Sequence, residues 1–391
     1  MNLLRVALPV ALVLALPAAA EEPLDIHVIE SLTGYAAFLG KQENEALALK
    51  EKSVNAQGGI HGKPLRFHHD DDQSSPQLAV QLVNGLLPAQ PAVILGPTLV
   101  PSCGATQPLI AKSGPVMYCF GSGIRPAPGS FGFSGGTGTV DQVAVMVRFF
   151  RLKGWKRIAF ISTTDATGQD GDRSLEETMA LAENKEVDLV EHTHFNVTDV
   201  SIAAQVERIR AAKPDVVIVW TIGSATGTVF RGIIQAGLEL PVGTDAGNMT
   251  YQQMQQFAQI MPKECYFTSP SWPVNGDPRI KLDPAVAAKQ KEFYDAFAKS
   301  PNKPDEGSML AWDAATTIID ALIALPVNAS AAQLHEHVIN VTAQAGVGGI
   351  YDFVSVPQRG LSARDVVVSL WDAASRRWIA VTQPGGAPIK S

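Results

Sequence analysis

Two short turns rich in glycine, proline and hydroxyl residues carry the groups best suited to chemistry. The first follows the apolar run 93–95 and contains Thr98 and Ser102, and the second, residues 121–123, follows the apolar run 116–120. Small side chains, free backbone N–H groups and a helix N-terminus together suit a carboxylate. No strong base or nucleophile is spaced to attack a group held there. The pattern therefore predicts reversible binding of a small anion.

The elements that position these turns follow from an alternation of short apolar runs and helical segments. Predicted strands at 26–29, 65–68 and 92–95 are separated by predicted helices at 43–54 and 77–87. This βαβαβ order predicts a parallel α/β sheet with right-handed crossovers. Ligands bind such sheets at the carboxyl ends of the strands, where both turns fall.

The length and charge of the chain limit its organisation and its partners. A chain of 391 residues fits two domains or two lobes, and a second alternating unit begins near residue 141. The net charge is −7 and no segment concentrates Lys and Arg, which argues against nucleic acid and anionic membranes as partners. Nothing in the composition indicates a cofactor.

Residues 1–20 have the features of a secretory signal peptide. Arg5 supplies the positive charge, residues 6–16 form an apolar run too short to span a bilayer, and three alanines at 18–20 offer a cleavage site. The alternative is a buried N-terminal strand or helix. We expect a mature protein that is soluble and exported to the periplasm.

Three cysteines are present, and two of them flank the turns. We predict that Cys103 and Cys119, which lie 16 positions apart on adjacent elements, form a disulfide, because export permits oxidation. Cys265 then stays buried and free. The alternative is that Cys103 and Cys119 are two free buried thiols.

A set of motifs in fixed order resembles a known family. The motifs are Leu32-Thr33-Gly34, residues 55–63 (NAQGGIHGK), residues 71–76 (DDQSSP) and Gly96-Pro97. At this spacing behind a signal peptide they resemble the leucine/isoleucine/valine-binding family of periplasmic solute-binding proteins, the receptors of ABC importers. The resemblance covers about residues 24–385.

The resemblance implies a two-lobed type I periplasmic binding protein fold in which the chain crosses between lobes three times. Each lobe would be a parallel-sheet α/β sandwich. The first lobe would hold residues 24–135 and 272–348, and the second 136–271 and 349–385. A ligand would close between them in a monomer that delivers it to permease subunits.

The resemblance also implies a set of ligand contacts from both lobes. The hydroxyl residue that commonly binds carboxylate in the family falls on Val100, a Thr on Gly123, and the second-lobe Tyr on Thr167, so three family groups are missing. The acidic residue that pairs with an ammonium in some members falls on Asp245. The expected contacts are Tyr35, Phe38, Leu39, Thr98, Ser102, Phe120, Gly121, Ser122, Gly123, Thr167, Ile222, Asp245 and Asn248.

Two ligand classes stay open. Asp245 supports an α-amino acid, but the missing Thr and Tyr count against one. Tyr35, Phe38 and Phe120 could form an apolar wall for an aromatic or other hydrophobic acid, which the sequence favours over a hydrophobic amino acid. Each residue also has a structural alternative: Ser102 could be a helix N-cap, residues 121–123 a tight turn, and Asp245 a turn cap.

Other functions have weaker support in the sequence. Residues 132–136 (GFSGG) match the nucleophile elbow of an exported α/β hydrolase, but no strand is predicted before Ser134. The run 68–72 (HHDDD) contains metal-ligand types, but alternation along a strand would point neighbours to opposite faces. A ligand sensor of the same fold, coupled to a signalling protein, is a further alternative.

Overall fold

The computed structural model describes residues 22–389, so the predicted signal peptide lies outside the described residues. None of the helices in this range is long and apolar enough to cross a membrane. The strands are β1 Leu24–Glu30, β2 Leu65–Asp71, β3 Val93–Leu95, β4 Val116–Cys119, β5 Gly132–Ser134, β6 Arg157–Thr163, β7 Asp188–Phe195, β8 Val216–Trp220, β9 Val242–Thr244, β10 Cys265–Pro270, β11 Gln344–Ala345, β12 Ile350–Tyr351, β13 Val366–Asp372 and β14 Arg377–Ala380. The α-helices are α1 Ala37–Ala56, α2 Pro76–Leu86, α3 Val100–Ile110, α4 Thr139–Leu152, α5 Ala166–Met179, α6 Ala203–Ala212, α7 Ser224–Gln235, α8 Tyr251–Phe257, α9 Pro284–Phe297, α10 Glu306–Ala324 and α11 Ala331–Ile339.

Two sheets divide the molecule into two lobes. The first sheet is entirely parallel, in the order β2-β1-β3-β4-β5. The second has the order β14-β13-β10-β9-β8-β6-β7, and its first five strands in the chain, β6 to β10, are parallel. The apolar runs 366–370 and 378–381 predict a hairpin, and the β13–β14 hairpin there adds an antiparallel edge to the sheet. The predicted α/β class with two parallel-sheet lobes is confirmed.

The helices of the first lobe come from two distant parts of the chain. α1, α2 and α3 alternate with its strands, whereas α10 packs on α1 and α11 packs on β4 after the chain has returned from the second lobe. The chain passes between the sheets after β5, after β10 and between β12 and β13. This path places the carboxyl ends of both sets of parallel strands at the boundary between the lobes.

Local sequence explains several element boundaries. β8, with the sequence VVIVW, is fully buried, as expected for a central parallel strand covered on both faces. The Ser75 side chain caps α2 by accepting the Leu78 N–H, and Pro76 occupies the first helical position. α1 lies so close to β1 that a Cβ at Gly40 would be 2.3 Å from the Ser31 carbonyl oxygen.

Two predictions about segments at the boundary are corrected. The stretch 129–138 is rich in Gly, Ser and Phe without periodicity and predicts a crossing between lobes, but Gly132–Ser134 pair with β4 as an edge strand. The sequence 31–40 predicts a loop with aromatic residues at its tip, but this loop is shorter because α1 already begins at Ala37. Phe38 and Leu39 therefore project from the first turn of a helix, where they pack with Leu99.

Candidate ligand-binding site between the lobes

A cavity of about 50 Å³ lies between the lobes at the carboxyl ends of the parallel strands. Both turns singled out in the sequence reach it, together with the first turns of α3, α4, α5 and α10. Its lining consists of Leu39, Thr98, Leu99, Val100, Gly121, Ser122, Gly123, Thr139, Thr167, Trp220, Ile222, Asp245, Gly247, Glu306 and Leu310.

The first lobe contributes a compact surface built from the turns after β3 and β4. A Cβ at Gly123 would lie 3.0 Å from Val100 Cγ2, and one at Gly121 would lie 3.1 Å from the Val100 backbone nitrogen. Val100 and Gly123 are thus packed against each other. These are the two positions at which the sequence lacks the Ser/Thr-type hydroxyl residue of the family. A larger residue at position 123 would therefore require the Val100 side chain to shift.

The hydroxyl of Thr98 is already engaged within its own lobe. It accepts the Ser31 backbone N–H at 3.0 Å and donates to the buried carboxyl of Glu43. Ser122 lies beside it in the lining and is only partly buried. Two of the three hydroxyl residues predicted from these turns, Thr98 and Ser122, line the cavity.

The second lobe closes over this surface with helix N-termini. Thr139 is the first residue of α4 and Thr167 the second residue of α5, and both line the cavity. Helix N-termini carry partial positive charge and free N–H groups. The N-termini of α4 and α5, together with that of α3 at Val100, therefore offer hydrogen-bond donors to a carboxylate in the cavity.

Two carboxyl groups face the cavity from opposite lobes. Asp245, at the end of the turn after β9, accepts the Gly247 N–H at 2.7 Å, and Glu306, the first residue of α10, accepts the indole N–H of Trp272 at 2.5 Å. Burial raises the pKa of Asp245 to about 7 and that of Glu306 to about 8, and the negative charges of Asp305 and Asp245 further raise the pKa of Glu306. Among the described residues that line the cavity there is no Lys, Arg or His.

The structure brings together eight of the thirteen predicted contacts. These eight line the cavity: Leu39, Thr98, Gly121, Ser122, Gly123, Thr167, Ile222 and Asp245. Tyr35 and Phe38 lie next to it and pack across the lobe boundary against Ile222. They form part of the seal around the cavity.

The remaining three predicted contacts lie outside the lining, because each is engaged elsewhere. The buried Ser102 hydroxyl donates to Asp72 at 2.9 Å. Phe120 is fully buried in the largest hydrophobic core. The Asn248 amide oxygen accepts the hydroxyl of Thr226 at 2.9 Å, and its nitrogen donates to the Thr221 carbonyl at 2.7 Å.

Several lining residues were missed by sequence reasoning. Thr139 is the first residue of α4, and Trp220 is the last residue of β8. The sequence predicts both elements, with the helix from 141 and the strand at 215–220, so their position at the carboxyl edge of the sheet could have been used to find these two residues. Glu306 and Leu310 are one turn apart on α10, a helix separated from both turns by almost the whole second lobe. No local signal connects that helix with the cavity.

Across the mouth of the cleft the lobes are joined by a group that we call the clasp: Arg125, Asp170, Ser174 and Glu177. Arg125, from the first lobe, donates to Asp170 at 2.6 Å, to Ser174 at 2.8 Å and to Glu177 at 2.6 Å, all three on α5. Asp170 is almost fully buried, whereas Arg125 and Glu177 are partly exposed.

The cysteines lie behind the first-lobe turns. Cys103 on α3 and Cys119 at the end of β4 are joined by a disulfide, with their Cα atoms 6.0 Å apart. Cys265 is buried and free. The bridge ties the helix that begins in the first turn to the strand that leads into the second.

The two competing motifs have structural roles. Residues 126–130 before the motif form no strand, as predicted, and Ser134 is the last residue of the short strand β5, with its buried hydroxyl donating to the Gly121 carbonyl at 3.0 Å. His68 pairs with Asp25 at 3.0 Å and His69 with Glu30 at 2.6 Å, so successive residues of β2 have different partners, as strand alternation predicts.

The fold and the interlobe cavity define a two-lobed binding protein of the α/β class. A sequence model described as periplasmic binding protein matches residues 23–365, and the chain belongs to that family. No curated protein matches the sequence.

Solved structures share the fold at low sequence identity. An extracellular ligand-binding receptor from Rhodopseudomonas palustris HaA2 is 18% identical, with a TM-score of 0.80 over 92% of this chain and 100% of that one. A leucine binding protein, LivK, from Thermotoga maritima is 16% identical, with a TM-score of 0.77 over 92% and 99%. The branched-chain amino acid transporter substrate binding protein LivJ from Streptococcus pneumoniae, in complex with isoleucine, is 17% identical, with a TM-score of 0.74 over 92% and 99%.

Proposed function

We propose that this protein is the periplasmic receptor of an ABC importer and that it captures a small hydrophobic amino acid between its closing lobes. The observation that carries the proposal is the pair of buried carboxyl groups, Asp245 and Glu306, in a cavity whose described lining has no cationic side chain. A ligand that supplies an ammonium group would balance them.

The energetics of burial favour an ammonium over a purely anionic ligand. An uncompensated buried charge costs several kcal/mol, so burial favours the neutral form of both carboxyls unless a cation pairs with them. An aromatic acid would add a third acidic group without a cation to balance it. The amino acid, which the sequence ranked second, is therefore the ligand class that we propose.

The rest of the cavity suits the other two parts of an amino acid. The N-termini of α3, α4 and α5, with Ser122, offer donors to a carboxylate. Leu39, Leu99, Val100, Ile222 and Leu310 provide an apolar wall. The solved LivJ structure, a relative in fold, holds isoleucine.

Lobe closure would couple capture to delivery. Thr167, Ile222 and Asp245 reach the ligand only when the second lobe is closed, so their contacts stabilise the closed form selectively. A permease that recognises the closed arrangement of both lobes would then distinguish loaded from empty receptor.

The first experiment is a thermal-shift screen of the mature protein with hydrophobic amino acids, benzoate- and cinnamate-type acids and short dicarboxylates. Ligand at about one hundred times its dissociation constant adds roughly 2.7 kcal/mol of stability, a rise of a few degrees in Tm. We expect a response to hydrophobic amino acids and none to the same acids without the amino group. A response to aromatic acids alone would refute the amino acid assignment.

Matched variants test the two carboxyls directly. Asp245→Asn and Glu306→Gln keep the hydrogen bonds from Gly247 and Trp272 but remove the negative charge, and we expect each to lower amino acid affinity at least tenfold in calorimetry. Asp365→Asn is the control, because Asp365 is also largely buried but does not line the cavity. Unchanged affinity in both cavity variants would exclude the ammonium contact.

Delivery of the ligand to an importer is tested separately from binding. We expect the loaded receptor to stimulate ATP hydrolysis by its reconstituted ABC importer, and the Asp245→Asn variant to do so only at raised ligand concentration. A receptor that binds amino acids but stimulates no importer would point to the sensor alternative.

A further inference from the structure

On the outer side of the second lobe, two histidines and an aspartate converge away from the cavity. His192 and His194 lie two positions apart on β7, an edge strand, and therefore share one face of the sheet. Asp172 reaches them from α5, which covers that face: its Oδ1 lies 2.8 Å from His192 Nε2 and its Oδ2 3.0 Å from His194 Nε2.

We propose that Asp172, His192 and His194 form a binding site for a divalent transition-metal ion of the zinc type. Within residues 22–389 they are the one group of three or more His, Cys or carboxylate side chains whose ligand atoms all lie within 4.8 Å of one another. Two imidazole nitrogens and one carboxylate oxygen are a donor set that suits zinc, copper or nickel.

The spacing of the donors fits one ion with small side-chain movements. Zinc binds imidazole nitrogen and carboxylate oxygen at about 2.0–2.2 Å, which places neighbouring donors roughly 3–3.5 Å apart in a tetrahedron. The distances from His192 Nε2 and His194 Nε2 to the Asp172 oxygens are slightly shorter than this, because without an ion each imidazole is hydrogen-bonded to the carboxylate. An ion would replace those hydrogens and leave a fourth position for water.

The carboxylate is held in place by a further partner. Ser162 on β6, which is paired with His194 in the sheet register, donates to Asp172 Oδ1 at 2.7 Å. Such outer hydrogen bonds orient metal ligands and are typical of built sites. On the other side, Phe160 meets the ring of His192 edge to face, with centroids 5.5 Å apart, and limits its rotation.

The site is open enough to be loaded. The side chains of His192, His194 and Asp172 are 26%, 43% and 21% exposed, so an ion can enter without unfolding of the lobe. A bound ion would cross-link the edge strand β7 to α5, the helix that also carries Thr167 of the cavity and three residues of the clasp.

The test uses untagged, chelator-treated mature protein and Zn²⁺ alone, measured by equilibrium dialysis and calorimetry. We expect one Zn²⁺ per chain, competition by Ni²⁺ and Cu²⁺ but not by Mg²⁺ or Ca²⁺, and a rise in Tm on loading. Co²⁺ in place of Zn²⁺ should give the visible absorption of a low-symmetry site, which reports on coordination in the unmodified chain.

Substitutions of the donor residues and of Ser162 test where the ion binds. His194→Gln and Asp172→Asn should remove the bound equivalent, and Ser162→Ala should lower affinity about tenfold by loosening the carboxylate. His68→Ala is the matched control, because His68 is also a strand histidine beside an aspartate, and it should keep full binding. Absence of binding, or stoichiometry that survives both His194→Gln and His192→Gln, would overturn the proposal. Amino acid binding at the cavity should persist in all of these variants, so the two proposals fail independently.

Discussion

At the scale of single residues, the buried carboxyl groups of Asp245 and Glu306 make the stability of the ligand-free closed form depend on pH. A carboxyl whose pKa is raised by folding stabilises the folded state below its unfolded pKa, and that contribution is lost as the pH rises through the folded value. For Asp245 the window runs from its ordinary value of 3.8 to about 7, and for Glu306 from 4.5 to about 8. The ligand-free closed form is therefore less stable above this window.

The first prediction concerns the ligand-free stability of Asp245→Asn. The amide cannot ionise, so we expect its Tm to exceed that of the wild type by a few degrees at pH 8 and by less at pH 5, because the wild-type carboxyl is increasingly neutral as the pH falls. Scanning calorimetry at both pH values measures the difference. A gap that does not change with pH would contradict the raised pKa.

Of the two carboxyls, only Asp245 could be predicted from sequence. It stands in a turn directly after a predicted strand, where the family resemblance also placed an acidic residue. Glu306 depends on the packing of α10 against α1 at long range, and neither periodicity nor a motif reveals which end of that helix meets the other lobe. Ser102 lies on the first turn of α3, close to the cavity, but its hydroxyl donates to the buried carboxyl group of Asp72 and does not line the cavity.

At the scale of elements, the clasp connects the loop after β4 to α5. Removing Arg125 leaves Asp170 buried without its cation, which destabilises the closed form but not the separate lobes. We expect Arg125→Gln to raise the rate of ligand dissociation about tenfold with a much smaller change in association, measured by stopped-flow fluorescence. Arg173→Gln is the control, because Arg173 lies at the same mouth but outside the clasp. Equal rates for the two variants would show that the clasp does not hold the cleft shut.

The disulfide between α3 and β4 gives a second prediction at this scale. A bridge that closes a loop of about 15 residues stabilises a protein by about 3 kcal/mol, mainly by restricting the unfolded chain. We expect the Cys103→Ala/Cys119→Ala variant to lose stability of this order in urea unfolding. Reduction of the wild type should give the same loss, whereas the double variant should not respond to reductant. A reductant effect that persists in the double variant would assign it to another group.

At the scale of the whole molecule, the small volume of the cavity implies an open form. A space of about 50 Å³, bordered on one side by Tyr35 and Phe38, is too small to admit an amino acid unless the lobes separate. We expect small-angle scattering to show a larger radius of gyration for the ligand-free protein, and a fall on addition of the amino acid that responds in the thermal-shift screen. Identical radii with saturating ligand would show that capture does not require lobe movement.

The fold was more predictable than the site because its signals are local. Most strands and most helices follow from short periodic stretches, and caps such as Ser75 mark where they begin. The site depends on which ends of these elements meet, and three residues predicted as contacts, Ser102, Phe120 and Asn248, have partners outside the cavity lining. The edge strand β5 was missed because three residues, one of them a glycine, are too few to show a periodicity, and the strand forms only by pairing with β4.

The long return of the chain to the first lobe also sets the order in which the protein can fold. A ring nitrogen of His61, just after α1, lies 2.9 Å from the Leu322 carbonyl oxygen, 261 positions further on. β6 to β10, by contrast, find all their parallel neighbours within residues 157–270. The first lobe is thus completed only after the parallel strands of the second lobe have been synthesised, and the face of α1 that packs on α10 stays uncovered until more than three hundred residues have been made. A chain built in this way depends on protection from aggregation during its biogenesis, and its slow folding step should be the docking of α10.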